Sequence, residues 1–323
     1  MTGVATKDIR TQAVEERAAA AVMDVQLNQI TQGAFQGRTQ TAEFKNAMVY
    51  RDCWNRLTAC RGALSGAYVL FAAPVATGST VDWCGFEAGS HCLAFGLPEK
   101  QVDFIIPADT PYVAMLLPTS YLKTIIGDSA VDKLLKSGIQ QKQLEPDLGR
   151  RFVNRIDRVI SASSINPESF TQDAVKAIEA DFLDDLAELG IFLDDQIPVR
   201  QAALRDILRK ACNAAELLRE RITVPQFAAQ IDVGQRNLEL AFKRHLGITP
   251  RRYLNYRRMH QVYRDLRSRS AASHCVTEVA GYWGFNELGR FAGEYRKLFG
   301  ERPSVTLQRP PLRCDNRLFD LGK

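Results

Sequence analysis

Between about Gln26 and Pro118 the apolar residues come in short runs, four to six long, cut by Gly and Pro. Tyr68-Val69-Leu70-Phe71, Val81-Asp82-Trp83-Cys84, Cys92-Leu93-Ala94-Phe95, Val102 to Ile106 and Tyr112 to Leu117 are the clearest. Runs of this length, rich in β-branched and aromatic residues and bounded by turn formers, predict strands of a small β barrel or sandwich. After Pro118 the period lengthens. Phe170, Ala174, Ile178, Phe182, Leu186 and Leu189 recur at four and three, with Glu179, Asp184, Asp185 and Glu188 on the other face. That spacing predicts an amphipathic helix whose apolar stripe packs either on the β domain or on a second subunit. A further helix over Val199 to Glu220 leads into the C-terminal part and puts the domain boundary near residue 198.

The C-terminal part contains an internal repeat. Residues 224–250 laid over residues 276–303 align Val224 with Val276, Phe227 with Val279, Ala228 with Ala280 and Val233 with Phe285. After one inserted residue, Leu238 meets Phe291, Phe242 meets Tyr295, Gly247 meets Gly300 and Pro250 meets Pro303. Each copy has helix-turn-helix anatomy. Thr223-Val224-Pro225-Gln226 is a capping box with Pro in the first turn. Ala228 is small where two helices approach, and Asp232 sits at a turn that needs left-handed backbone, which Asp tolerates better than most residues. A second helix is expected over Gln235 to His245, with Leu238 and Phe242 inward. The other copy places Ala280 and Gly284 alike, with a helix over Glu287 to Phe299. Cys275 replaces the capping Thr223, which should weaken that helix end by roughly 1 kcal/mol. Pro250 to Arg267 reads as a linking helix with Tyr253, Leu254, Met259, Val262, Tyr263 and Leu266 as its apolar set. At 1.5 Å per residue it would reach roughly 27 Å, comparable to the ~34 Å between successive major-groove faces of a duplex.

Charge sharpens this division. Residues 1–198 carry 18 Lys+Arg against 25 Asp+Glu, whereas residues 199–323 carry 24 against 12, so the parts stand at −7 and +12. A basic domain beside an acidic one points to a polyanionic partner for the former. The 323 residues suffice for two cores. No apolar stretch is long enough for a signal peptide or a membrane span, so a cytoplasmic protein without membrane contact is expected. The seven cysteines are odd in number and form no C-x-x-C pair, which signals neither a disulfide framework nor a zinc site.

The stretch from about Arg221 to Leu307, with TVPQFAAQIDVGQRNLELAFKRHLGITPRRYL and VTEVAGYWGFNELGRFAGEYRKLFGERPS, resembles the DNA-binding domain of the AraC family. LNQITQGAFQG near Leu27 to Gly37, and the ending GRFAGEYRKLFGERPSVTL, are similar to a subgroup that includes the ethanolamine-utilisation regulator. The resemblance implies an α+β protein: a cupin-like N-terminal β barrel with helices, and an all-α domain of two helix-turn-helix units joined by a long helix. It implies an effector-sensing and dimerisation domain over 1–198, a DNA-binding domain over 199–309 with its units at 223–245 and 276–299, and a tail over 310–323. Implied partners are double-stranded DNA, a small-molecule effector, RNA polymerase and a second copy of the chain. The implied function is transcription regulation, usually activation, with control by a docked protein as the alternative and an enzyme with an appended DNA-binding domain as a remoter one.

On a helix entering the major groove, the residues opposite the inward ones meet bases and phosphates. In the first unit these are Gln235, Arg236, Glu239, Leu240 and Lys243. Arg236 suits a guanine edge, Glu239 a cytosine amino group and Leu240 a thymine methyl, unless Leu240 packs on the linking helix. Family members more often carry polar or Arg residues at the positions of Glu239 and Leu240. The second unit offers Leu288, Gly289, Arg290, Ala292 and Gly293, with Arg296 and Lys297 behind. Glycines cannot reach base edges, so the first unit is expected to select sequence and the second to grip phosphates. Arg251, Arg252, Arg257, Arg258 and Arg264 either touch the DNA backbone or solvate the linking helix.

Metal chemistry of the cupin kind needs several His and a Glu, and only His91 of the four His falls in the β region. With no H-x-H, no G-x-S-x-G and no phosphate-binding glycine loop, no cofactor, metal or catalytic residue is expected. Cys84, beside Trp83, has no partner cysteine for redox work and reads as buried. The effector is expected among Tyr68, Phe71, Trp83, Phe86, Phe95 and Phe104, the same aromatics that would otherwise fill the barrel.

Overall fold

The short apolar runs form strands, as do several polar segments that carry no such signal. In the computed structural model, residues 4–21, 23–64, 68–75, 81–84, 86–89, 92–137, 141–143, 146–165, 170–188, 203–218, 221–268 and 275–312 are described. The strands are β1 (Ala5–Thr11), β2 (Met23–Gln29), β3 (Gly37–Glu43), β4 (Met48–Trp54), β5 (Thr58–Leu64) and β6 (Tyr68–Pro74), then β7 (Val81–Trp83), β8 (Phe86–Ala88), β9 (Cys92–Gly96), β10 (Gln101–Ile106), β11 (Tyr112–Pro118) and β12 (Gln141–Gln143). One antiparallel sheet runs β1-β3-β4-β11-β6-β9-β12, the other β2-β5-β10-β7-β8. They pack face to face around Tyr50, Trp54, Leu70, Trp83, Phe104 and Leu116, the flattened-barrel arrangement of an α+β chain.

The centre of the larger sheet is buried on both faces, which explains why β6, β9 and β11 read as unbroken apolar runs. Along β6, Leu70 and Ala72 face the second sheet, while Val69, Phe71 and Ala73 face helices. Those helices are α2 (Thr119–Ile126), α3 (Asp128–Ser137), α4 (Pro146–Ile165) and α5 (Gln172–Glu188), which follow the short α1 (Val14–Ala19). Phe170, Val175 and Phe182 enter the core beneath the sheet, so the amphipathic stripe packs on the β domain. Glu179 and Asp185, expected on the solvent face, are buried. Glu179 accepts from the Asn46 N–H at 3.0 Å, and Asp185 from Arg155 Nε at 2.7 Å. Buried carboxylates are retained here because each has a donor on a neighbouring segment. Leu186 has no described side chain, and Leu189 and the boundary near 198 lie outside the described residues.

Inside the sandwich, charged groups meet where the sequence shows only isolated polar letters. The Arg17 guanidinium of α1 forms an ion pair with Asp52 of β4, whose carboxylate also accepts from Thr39 and from Tyr112 Oη at 2.7 Å. Asp52 is fully buried. Burial opposes the charged form of Arg17, but the Asp52 carboxylate outweighs it and holds the guanidinium above its ordinary value. Burial, reinforced by the Asp52 charge, pushes the Tyr112 phenol well up.

The remaining helices are α6 (Ala203–Leu217), α7 (Val224–Gln230), α8 (Gln235–Leu246), α9 (Pro250–Ser268), α10 (Val276–Tyr282), α11 (Leu288–Phe299) and α12 (Pro303–Gln308). They share a third core that also takes Ala13 and Ile30 from the β domain. A row of polar groups crosses this junction. His260 of α9 sits between the Glu15 carboxylate (Nδ1 to Oε1, 2.7 Å) and the Gln29 carbonyl (Nε2 to O, 3.1 Å). Arg264 donates to the Leu27 carbonyl and Asn28 Oδ1, both at 3.1 Å, and Arg267 to Glu16 at 3.0 Å. Gln29 Nε2 donates to the Leu298 carbonyl at 2.7 Å. No helix among the described residues is long and apolar enough to cross a membrane.

Removing one partner of the Arg17–Asp52 pair leaves a buried charge uncompensated, so Asp52→Asn should lower stability by about 3 kcal/mol, while the paired Arg17→Met/Asp52→Leu change recovers most of it. Urea unfolding of the three proteins tests this. A single variant as stable as the parent would show that the pair does not hold the sandwich.

Candidate nucleic-acid interface

Each helix-turn-helix begins at a cap. Before α7, Thr223 Oγ1 accepts from the Gln226 N–H at 3.4 Å and Gln226 Oε1 accepts from the Thr223 N–H at 3.0 Å. Before α10 the reciprocal arm survives, with Glu278 Oε2 accepting from the Cys275 N–H at 3.3 Å, but the cap side chain is a thiol, a weak partner. The two turns then repeat each other. Asp232 is left-handed at φ 53° and Gly284 at φ 75°. Each turn is closed by one backbone bond, Val233 N to Ala228 O at 3.0 Å and Phe285 N to Ala280 O at 2.9 Å. Both second helices, α8 and α11, stop on left-handed glycines, Gly247 and Gly300. The aligned residues of the repeat thus occupy equivalent backbone positions.

The inward faces are dry. Leu238, Ala241, Phe242 and Leu246 of α8 are buried, and Phe242 meets Tyr253 of α9 edge-on at 5.0 Å. Phe291, Tyr295, Leu298 and Phe299 do the same for α11. The outward faces keep the polar residues. Gln235, Arg236, Glu239, Leu240 and Lys243 are exposed on α8, and Leu240, half exposed at 51%, is not covered by α9. Gln235 Nε2 donates to Glu239 Oε1 at 2.8 Å, ordering that carboxylate along the helix. On α11, Leu288, Gly289, Arg290, Gly293, Arg296 and Lys297 are exposed and Ala292 is half-buried. Arg290 is tied along its own helix to Glu294 at 3.1 Å and to Glu287 at 3.8 Å. Among the described residues no ion pair engages Arg236. A groove of 760 Å³ between the units is lined by Thr223, Arg251, Arg252, Asn255, Arg258 and Asn286, among others.

Comparison with known proteins agrees with this geometry. A helix-turn-helix domain family matches residues 227–309. The "Probable thc operon regulatory protein" of Rhodococcus erythropolis is 42% identical over 112 residues, covering 34% of each chain. The "XylDLEGF operon transcriptional activator 2" of Pseudomonas putida is 36% identical over 108 residues, 33% of this chain and 69% of that protein. The chain belongs to the AraC family. It spans about a third of the length of the Rhodococcus relative, so that match concerns one part of each protein. The crystal structure of the AraC-like transcriptional activator CuxR aligns over 80% of this chain and 95% of its own, with 12% identity and a TM-score of 0.44.

Within this AraC-family chain, the arginines of α9 divide in a way that sequence alone leaves open. Arg251 and Arg252 are exposed. Arg257 is buried against Glu216 at 3.0 Å, and Arg264 is turned into the β domain. Burial pulls the Arg264 guanidinium below its ordinary value, with Glu15 opposing. Neither Arg257 nor Arg264 therefore belongs to the solvated face. Arg258 lies over the Phe285 ring at 4.8 Å and donates to Asn255 Oδ1 at 3.1 Å, bracing the turn of the second unit. The signal was present as spacing: Arg257, His260, Arg264 and Arg267 recur at three and four, a polar stripe that marks a buried polar face as well as a wet one.

Of the six aromatics expected at an effector site, the five with described side chains do not converge. Phe71 and Phe95 meet edge-on at 5.7 Å on the helix side of the larger sheet. Trp83 and Phe104 stack at 5.0 Å between the sheets, with Tyr68 half-buried nearby. Strand alternation separates residues that the sequence places side by side. Phe86 belongs to β8 but its side chain lies outside what is described, as does His91. Cys84 is buried, and burial pushes its thiol up to about 12.

Restoring a hydroxyl at the second cap should help. Cys275→Thr is expected to raise stability by about 1 kcal/mol, read as a higher denaturant midpoint at unchanged slope. A lower midpoint would mean that the thiol is already the better cap.

Proposed function

We propose that this chain is a sequence-specific DNA-binding regulator of transcription, acting as an activator under control of a small molecule bound by its N-terminal domain. The observation that carries the reading is the pair of repeated units on α9, each with a dry inner face and an exposed outer face bearing Arg236, Lys243, Arg290, Arg296 and Lys297. Nothing in the fold of either unit requires those side chains, and their chemistry suits base edges and phosphates. The β domain supports regulation because its α1 and β2 grip α9 directly through His260, Arg264 and Arg267. A ligand that shifts those elements changes the seating of both reading helices. Activation, rather than repression, follows the relatives named as activators.

Arg236 has the free reach for a guanine, whereas Arg290 is held by Glu287 and Glu294 and Gly289 and Gly293 present no side chain. Arg236→Ala should therefore cost about 1–3 kcal/mol on the operator and little on random DNA, while Arg290→Ala weakens both alike. Gel-shift titrations of the full chain on both duplexes, repeated across salt, measure this. Equal loss of selectivity from both variants overturns the division of labour, and absence of binding to any duplex at low salt overturns the function. Control by a small molecule is tested by thermal shift across a metabolite panel. A ligand at a hundred times its dissociation constant should stabilise by about 2.7 kcal/mol, and a panel without any hit favours control by a protein.

A further inference from the structure

The C-terminal end of α11 is completed by the β domain. A helix leaves its last carbonyls without partners of its own. In α11 the Arg296 carbonyl is met locally, by the Gly300 N–H at 2.9 Å. The next two are met from the segment that joins β2 to β3. The Lys297 carbonyl accepts from the Gly33 N–H at 2.9 Å, and the Leu298 carbonyl from Gln29 Nε2 at 2.7 Å and the Gly33 N–H at 3.2 Å. That segment is itself held from behind. The Ile30 N–H donates to the Leu57 carbonyl at 2.8 Å, the Leu57 N–H to Thr31 Oγ1 at 3.1 Å and Asn55 Nδ2 to the Ala34 carbonyl at 3.3 Å. Gly33 takes a φ of 112°, and a side chain there would run into the Arg56 guanidinium. The internal repeat shows that this contact is additional to ordinary helix capping. Gly247 and Gly300 end α8 and α11 in the same left-handed conformation, at φ 69° and 79°. Nothing lies within 4 Å of where a Gly247 side chain would begin, whereas at Gly300 a Cβ would meet the Ala34 Cβ at 2.7 Å and its backbone at 2.9 Å.

Resting on the reading that this chain binds DNA through its paired units, we propose that Gln29, Gly33 and Ala34 of the β domain are positioning residues for the second reading helix. They act through α11 and need not touch DNA themselves. Their placement suits the role. Lys297, whose carbonyl is held by Gly33, turns an exposed side chain to the groove between the units, and Gln32 of the same segment lines that groove beside Arg251 and Arg252. Gln29 is 1% exposed and joins two helices at once. Its side chain donates to Leu298 of α11, and its carbonyl accepts from His260 Nε2 of α9 at 3.1 Å. The same amide nitrogen donates to the Gly33 carbonyl at 2.6 Å, so segment and helix end are tied through one group. Because the segment is anchored to the β4–β5 turn, it moves with the sandwich. A displacement of β2 therefore shifts α11 against α9, and a change of state in the β domain reaches DNA as a change in how firmly the second unit holds phosphate.

The test compares the full-length parent with Gly300→Ala, Gln29→Glu and Gly247→Ala. Alanine meets the same left-handed backbone at both glycines, so any difference between those two variants reports the Ala34 contact. Gln29→Glu keeps the shape but turns a donor into an acceptor against carbonyls. In amide hydrogen exchange read by mass spectrometry, peptides covering 29–35 and 294–303 should exchange about tenfold faster in Gly300→Ala and Gln29→Glu. Gly247→Ala should leave both peptides at the parent rate and loosen the end of α8 instead. Equal rates in these peptides for Gly300→Ala and Gly247→Ala overturn the contact. The role in DNA binding is read from the salt dependence of affinity for one duplex selected from a random pool by the parent. The slope should fall by about 1–2 in Gly300→Ala and Gln29→Glu, as phosphate contacts of the second unit are lost. A smaller folded fraction would lower affinity without changing that slope, so a slope kept at the parent value in both variants overturns the positioning role even where affinity drops. Should Gly300→Ala fail to fold, Gln29→Glu decides both readouts. A parent that binds no duplex at low salt overturns the DNA-binding reading and the positioning role with it, whereas the exchange result still decides the contact.

Discussion

The structure depends on the burial of α9. Nineteen residues long, it reaches about 28 Å and is surrounded on most sides. Tyr253, Met259, Val262 and Leu266 hold the two units, while Arg257, His260, Arg264 and Arg267 face α6 and the β domain. A helix in that position cannot choose an apolar stripe and a wet stripe. It needs a second buried face whose polar groups find partners among neighbours, and Glu216, Glu15, Glu16 and the Leu27 carbonyl supply most of them. The spacing of the reading helices and the docking of the β domain are therefore properties of one element. Any disturbance that separates the polar row from its partners acts on the spacing of α8 and α11 as well.

The β domain solves a related problem inside its sandwich. Arg17, Thr39 and Tyr112 converge on Asp52, so a carboxylate without solvent has three donors. Such a network fixes register, because moving β4 by one residue would turn Asp52 to the opposite face.

How much of this was legible in the sequence follows the kind of interaction involved. The repeat was readable because duplicated turns reuse local chemistry: Thr223 caps, Asp232 and Gly284 bend, Gly247 and Gly300 stop. Strands β6, β9, β10 and β11 announced themselves through apolar runs. Strands β1 and β3 did not, since ATKDIRT and GRTQTAE owe their place to partners far along the chain, as Arg38 to Asp8 and Arg51 to Gln40 show. The misplacement of Glu179 and Asp185 has the same origin, for periodicity reports which side a residue occupies and not who waits there. The described aromatics expected at an effector site were split by alternation between two faces.

Gly289 and Gly293 end on open space, with nothing within 4 Å of where a side chain would begin. Each costs the α11 helix up to about 1 kcal/mol relative to alanine. The chain thus keeps two unwritten letters on an exposed helix at the expense of rigidity. Substitutions there would meet no steric resistance and would firm the helix, so new base preferences could arise at these two codons without any compensating change in the core.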